Sequence, residues 1–308
     1  IDSHTAGEPT RLVIDGLPVI KGNNLKQKTK YFSNKLDNYR SILTGEPRGH
    51  APMHAAIYIP SNSKKSDFGL ILMSALGYLD MCGHALIGSI TSLINSKKLS
   101  FKNSKNLIKI ETCAGIITVT TNWDKKNIKS ISFVNQKSFS IKEDFIINIP
   151  EYGKFTVNFA YGGLWYIIVN SKEIGIKIEK KNLNKLIIAG KKIRMKINSR
   201  IDKIKSKIQL PEKFPQTLFF DEINSKYGRN FVTSDELGFD RSPCGTGCCA
   251  RLALMYSQGK IKEKQNYIQK SIIDTSFNTR IVKVSKNGNI LPEITGSAYI
   301  TGINKIYL

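Results

Sequence analysis

Met81-Cys82-Gly83-His84 and Ser242-Pro243-Cys244-Gly245-Thr246-Gly247 are the two stretches whose reading decides the fold of this chain. Each places a cysteine directly before a glycine, and each runs into a segment of helical spacing. After the first, Leu86, Ile87, Ile90, Leu93 and Ile94 recur at the spacing of one helix face, which predicts an amphipathic helix with one buried stripe over Gly83 to Asn95. After the second, a helix is predicted from Gly247 to Gln258, ended by Gly259. A cysteine at a helix start meets unpaired backbone N–H groups and the positive end of the helix dipole, and both favour thiolate. The same N–H groups can hold a carboxylate. With one such cysteine in each half, two thiols can address a single carbon from opposite sides. That arrangement suits a reaction in which one face of the carbon loses a proton and the other gains one.

Working outward, strand-like runs flank each motif. In the first half these are Leu12 to Ile14, Ala55 to Ile59, Phe68 to Met73, Leu107 to Ile110 and Ile116 to Thr121, with a polar loop from Ser61 to Ser66. The second half has short strands at Ile128 to Val134, Ile146 to Ile149, Phe155 to Ala160, Trp165 to Val169 and Phe231 to Thr233, closing strands at Asn278 to Val284 and Ser297 to Thr301, and a helix at Leu183 to Arg194. Polar Asn122-Trp123-Asp124-Lys125-Lys126 is the expected crossing between halves. The fold class is therefore α/β (α+β), with two similar lobes and a cleft between them as the binding site. The first lobe is expected over residues 1–123, completed by 290–308, and the second over 124–289.

Composition narrows the function. The chain has 308 residues, 41% hydrophobic and 23% charged, enough for a globular protein with a sizeable core. No apolar run approaches the ~18 residues a membrane helix needs. The opening Ile1-Asp2-Ser3-His4 has neither a basic nor an apolar leader-like stretch, and it lacks Met, which leaves a fragment or a processed chain open. Five cysteines, an odd number, do not suggest a disulfide framework, so a reducing cytoplasm is the expected compartment. Lys and Arg number 47 against 24 acids, a net charge of +23. A basic nucleic-acid-binding protein is thus a remote alternative. However, the lysines are spread over the whole chain. The densest stretch, Lys172 to Lys207, interleaves them with Ile and Leu as a surface helix does, and aromatic residues are not interleaved as base-stacking requires.

Abstracting the α-proton of an amino acid without a cofactor needs a placed base, a placed acid and a cradle for the carboxylate. Cys82 and Cys244 supply the proton roles, one as thiolate and one as thiol, exchanging for the opposite enantiomer. Gly83, Gly245 and Gly247 let backbone N–H groups approach a carboxylate. Thr246 adds a hydroxyl, His84 a further donor, and Asp240 a carboxylate for the substrate amine. Cys113, Cys248 and Cys249 read as core residues, and His4 and His50 as structural. Cys82, His84, Cys244 and Cys248 lack the spacing of a closed metal site, so no metal is expected. The second motif also lacks the Gly-Lys-Ser/Thr ending of a phosphate loop.

These residues resemble the two signatures of the proline racemase family, which includes proline racemase, 4-hydroxyproline 2-epimerase and trans-3-hydroxyproline dehydratase. The resemblance extends to Asp2–Arg11, Glu46–His50, Tyr161-Gly162-Gly163 and Pro292–Tyr299. It implies a diaminopimelate-epimerase-like fold of two pseudo-symmetric lobes, Cys82 and Cys244 as the acid/base pair, Gly83, His84, Asp240, Gly245 and Thr246 at substrate-binding positions, and no cofactor. A small imino acid is the implied partner, without nucleic acid or membrane, and a homodimer is left open. Dehydratases of the family usually carry Thr or Ser at the second cysteine, so Cys244 resembles the racemase and epimerase branches. Where proline racemases tend to have Phe, this chain has His54 and Ser234. These two pocket positions leave room and hydrogen-bonding capacity for a ring hydroxyl, which favours hydroxyproline over proline.

Overall fold

The computed structural model describes residues 1–61, 65–98, 107–124, 127–141, 143–205, 210–234 and 238–307. It divides into two compact units, Ile1–Phe133 with Thr295–Leu308, and Val134–Ile294. These divisions fall later than the expected 123/124 and 289/290. Asn122 to Asp124 end strand Gly115–Asp124, which pairs antiparallel with Asn127–Val134 and brings Asp124 opposite Asn127. Lys125 and Lys126 lie outside the described residues, as do residues 62–64 of the expected polar loop.

In the first unit, Asp2–Thr5 pairs with Glu8–Val13 and Ala298–Gly302. Glu8–Val13 runs parallel to His54–Pro60, which pairs antiparallel with Phe68–Ser74. The tight register of Thr10 opposite His54 places that histidine at the start of an interior strand. Two helices that the sequence reading did not identify, α1 (Leu25–Lys35) and α2 (Asp37–Thr44), contribute Leu25, Phe32 and Leu43 to a cluster with Ala55, Ile57, Ile71 and Met73. The third helix, α3 (Gly83–Asn95), has the predicted bounds. It is not a one-stripe helix, because every residue from Ala85 to Leu93 is buried, Ser89, Thr91 and Ser92 included. Thr91 satisfies its hydroxyl by donating to the Ile87 carbonyl, which allows a polar side chain to sit inside.

In the second unit, strands Gly153–Tyr161, Trp165–Asn170, Gln216–Glu222 and Tyr227–Ser234 lie side by side, with the middle pair parallel. Both faces of these strands are covered, so they read as unbroken apolar runs. Period-two alternation sorts the side chains. Ile167, Val169, Phe219 and Phe231 join a cluster with Leu186, Ala189, Ile193 and Ile197 of α4 (Leu183–Asn198). Tyr166, Ile168, Leu218, Phe220 and Val232 face the other way, onto Cys244, Ala250 and Leu254. A short helix, α5 (Ile201–Lys205), follows α4. The motif helix α6 (Gly245–Ser257) starts two residues earlier than predicted, and its residues Gly247 to Met255 are all buried. Gly259, at φ +70°, follows its end. Arg251, inside α6, stacks 3.7 Å from the Phe220 ring and pairs with Glu222. Among the described residues no helix is long and apolar enough to cross a membrane.

Candidate active site

Each unit presents a cysteine at the N-cap of its buried helix. In the first, Cys82 has extended backbone and its carbonyl accepts the Leu86 N–H at 2.9 Å, opening α3. Strand Gly77–Leu79 delivers the chain to that point. Gly83 is required by a close approach, since a Cβ there would lie 2.8 Å from Cζ of Phe133. The His84 carbonyl is held by the Thr5 hydroxyl at 2.8 Å, and a His84 ring nitrogen, Nδ1, lies 3.4 Å from Cys82 Sγ. The His54 ring meets His84 edge-on, centroids 4.4 Å apart. His54 Nδ1 donates to the Pro52 carbonyl at 3.1 Å, which directs Nε2 as the unprotonated nitrogen of the neutral ring. Burial lowers the pKa of both rings, and for His84 the neighbouring His54 lowers it further, so both imidazoles are neutral near pH 7.

In the second unit, Cys244 takes φ +66°, ψ 110°. A non-glycine residue in this region is strained by about 1–3 kcal/mol, and such strain gathers at functional sites. Its N–H donates to Ser242 Oγ at 3.0 Å and its carbonyl accepts from Cys248 N–H at 2.7 Å, so both sides of the turn are fixed. The Tyr166 hydroxyl lies 3.3 Å from Cys244 Sγ and 2.6 Å from the Thr246 hydroxyl. These three groups can carry their hydrogen bonds in either direction. A thiol donates to the Tyr166 oxygen, whose proton then goes to Thr246, while a thiolate accepts from Tyr166. Burial pushes the Cys244 thiol pKa well up, the Asp240 charge adds to this, and the Tyr166 hydroxyl pulls the other way. At neutral pH Cys244 is therefore a thiol. Asp240 also accepts the Ser242 N–H at 2.8 Å, so it shapes the turn as well as facing the thiol.

The structure thus brings His54, Cys82, Gly83 and His84 together in the first unit, and Asp240, Cys244, Gly245 and Thr246 together in the second. Ser234 ends strand Tyr227–Ser234, its N–H donating to the Gly238 carbonyl at 3.1 Å. Cys248 and Cys249 are core residues, with the Cys249 thiol pushed up to about 12 by burial. Cys113 departs from the core reading: it is half-buried and donates to Thr29 Oγ1 at 3.3 Å. His4 accepts the Gly7 N–H at 3.2 Å and packs on Tyr299, a structural use. Tyr166 was not singled out from sequence. Its signal was the alternation in Trp165-Tyr166-Ile167-Ile168, which puts Tyr166 on the face opposite Ile167. His54, Cys82 and His84 also form a group whose ligand atoms lie within 4.8 Å of one another. Local spacing could not show this, because His54 comes from a strand distant in sequence.

Two buried helices, one in each unit, are thus capped by a cysteine with polar neighbours. The proline racemase family pattern matches residues 1–308. A proline racemase of Acetoanaerobium sticklandii is 38% identical over 315 aligned residues, covering 99% of this chain and 92% of that protein. A trans-3-hydroxy-L-proline dehydratase of Bacillus cereus is 33% identical over 311, covering 99% and 92%. Among solved structures, a hydroxyproline epimerase from Agrobacterium vitis with bound trans-4-hydroxy-L-proline superposes with a TM-score of 0.81 at 26% identity, covering 98% of this chain and 90% of that one. The chain belongs to the proline racemase family and is an isomerase of the racemase and epimerase type.

Proposed function

We propose that the chain is a cofactor-independent racemase or 2-epimerase that inverts the α-carbon of 4-hydroxyproline or proline with two thiols. The observation that carries this reading is the repeated cysteine N-cap, with the Tyr166 hydroxyl 3.3 Å from Cys244 Sγ. In one direction, Cys82 is the thiolate that removes the α-proton, and Cys244 is the thiol that gives its proton to the opposite face. The electron pair of the broken C–H bond resides briefly on the α-carbon and its carboxylate, then forms the new C–H bond. Turnover leaves Cys82 protonated and Cys244 as thiolate, which is the state that accepts the product enantiomer. Tyr166 donates to the Cys244 thiolate at that point. Gly83, Gly245 and Thr246 hold the carboxylate, His84 adds a donor, and Asp240 meets the substrate amine.

His54, in contact with His84, supports a ring-reading role, and with Ser234 it favours a hydroxylated ring. The relationship to a trans-3-hydroxy-L-proline dehydratase supports a second reading, elimination of a 3-hydroxyl; the thiol at Cys244 favours inversion. The test is incubation in deuterated buffer with L-proline, trans-4-hydroxy-L-proline and trans-3-hydroxy-L-proline. Inversion gives α-deuteration with loss of optical rotation for proline and a changed rotation for a hydroxyproline, whose ring stereocentre is untouched. A pyrroline-carboxylate product formed only from the 3-hydroxy substrate would replace this reading with the dehydratase.

A further inference from the structure

We propose that His54, Cys82 and His84 form a three-ligand site for a borderline transition-metal dication, zinc above all, and that the ion reversibly withdraws Cys82 from proton transfer. Among the described residues this is the one group of three His, Cys, Asp or Glu side chains assembled with ligand-like spacing. It lies wholly within the first unit.

The donor set is one sulfur and two imidazole nitrogens, with no carboxylate. Such a set selects zinc, cobalt, nickel or copper over magnesium or calcium. Zinc bonds of about 2.3 Å to sulfur and 2.0–2.1 Å to nitrogen place tetrahedral ligand atoms roughly 3.4–3.6 Å apart. The distances from Cys82 Sγ to the two His84 ring nitrogens are 3.4 and 3.8 Å, already on that scale. No pair in the group exceeds 4.8 Å, so side-chain rotation of about 1 Å closes the rest.

His54 carries the second argument. Its Nδ1–H is committed to the Pro52 carbonyl at 3.1 Å, which leaves Nε2 as the lone-pair nitrogen. Metal-ligating histidines have this pattern, the outer nitrogen bonded to a carbonyl so that the ring is fixed and the inner nitrogen is bare. The supports are rigid as well. His54 starts an interior strand, and Cys82 and His84 open a buried helix whose first turn is tied by the Thr5 hydroxyl. Three protein ligands leave a fourth position open, to be filled by water or by a substrate carboxylate. On binding, the metal–sulfur bond forms and any thiol proton leaves to solvent. The inhibitory consequence rests on the role proposed above for Cys82; the binding site does not.

The experiment uses the full chain, stripped of metal by a chelator and titrated with Co(II) and with Zn(II). Cobalt bound to a thiolate gives a sulfur-to-metal charge-transfer band in the near ultraviolet. One equivalent should produce this band in the wild type, and Cys82→Ala should lose it. Zinc affinity should fall by more than about tenfold in Cys82→Ala and in His54→Ala, and stay unaltered in Cys244→Ala. Zinc should slow α-proton exchange in the wild type, and a chelator should restore it. Absence of the band in the wild type overturns the site without reliance on any variant folding. Equal zinc affinity in wild type, Cys82→Ala and His54→Ala overturns it too, as does exchange that zinc leaves untouched for the inhibitory role. A chain with no exchange activity on any imino acid would refute the proposed function instead, while the cobalt spectrum would still decide the site.

Discussion

Gly162→Ala should disable the Cys244 motif from outside it. Gly162 lies under the first turns of α6, where an added Cβ would sit 2.2 Å from the Thr246 carbonyl oxygen, 2.4 Å from the Ala250 nitrogen and 3.0 Å from Cys249 Cβ. Ordinary contact begins near 3.4 Å, so backbone must yield by 1.2 Å at the closest atom. The neighbours are helix backbone, which cannot rotate away. Overpacking of this kind costs about 1–3 kcal/mol of stability. Because the displaced turn carries Thr246 and follows Cys244, the functional loss should exceed the stability loss. A misplacement on the order of 1 Å can lower a rate about a hundredfold. Gly153→Ala is the comparison: at φ +72° with nothing within 4 Å of its Cβ, it should cost about 1–2 kcal/mol through backbone strain alone. Thermal melts and kcat for racemisation of both variants separate the effects. Gly162→Ala with kcat within a few-fold of wild type, while still destabilised, would refute the claim that this glycine sets the position of the motif.

Tyr166→Phe keeps the packing and removes the hydroxyl beside Cys244 Sγ. Since that hydroxyl lowers the thiol pKa, its loss should raise it further. Mass spectrometry of Cys244 alkylation against pH should show the profile displaced upward; an unmoved or lowered profile contradicts the assignment. Glu222→Ala should cost about 3 kcal/mol, because it leaves the buried Arg251 guanidinium uncompensated. Burial alone would raise the Glu222 pKa, but Arg251 and Lys260 outweigh it and the net shift is downward. Its stabilisation is thus present above the ordinary carboxylate pKa and lost as pH falls through the lower folded value, and thermal melts between neutral and acid pH should show a shallower acid loss in Glu222→Gln. His54→Phe with Ser234→Phe should move the kcat/KM ratio from trans-4-hydroxy-L-proline toward L-proline, by ~1–3 kcal/mol per position. A ratio that does not move shows that these positions do not read the ring.

The motif cysteines were legible because each breaks the local pattern: a thiol before glycine at the start of an apolar period has few purely structural uses. The bounds of α3 followed from that period. Its full burial did not, since Ser89, Thr91 and Ser92 read as a polar face until Thr91 is seen bonding back to Ile87. α1 escaped notice because Leu25–Lys35 is mostly polar and buries only Leu25 and Phe32. Asn122 to Asp124 read as part of a domain crossing because the polar end of a strand and a polar linker have the same composition, and only the pairing of Gly115–Asp124 with Asn127–Val134 separates them. Tyr166 and His54 reach their thiols through sheet register, a long-range property that spacing along the chain does not encode.

The central claim is that each thiol serves one face of the α-carbon, and the direct measurement is α-proton exchange in deuterated buffer for Cys82→Ser and Cys244→Ser, assayed separately with each enantiomer. The remaining thiol in each variant can remove and return a proton on its own face only. The account predicts that neither variant inverts its substrate, and that the two exchange the α-protons of opposite enantiomers. Inversion by either variant at close to the wild-type rate, or exchange of the same enantiomer by both, would contradict it.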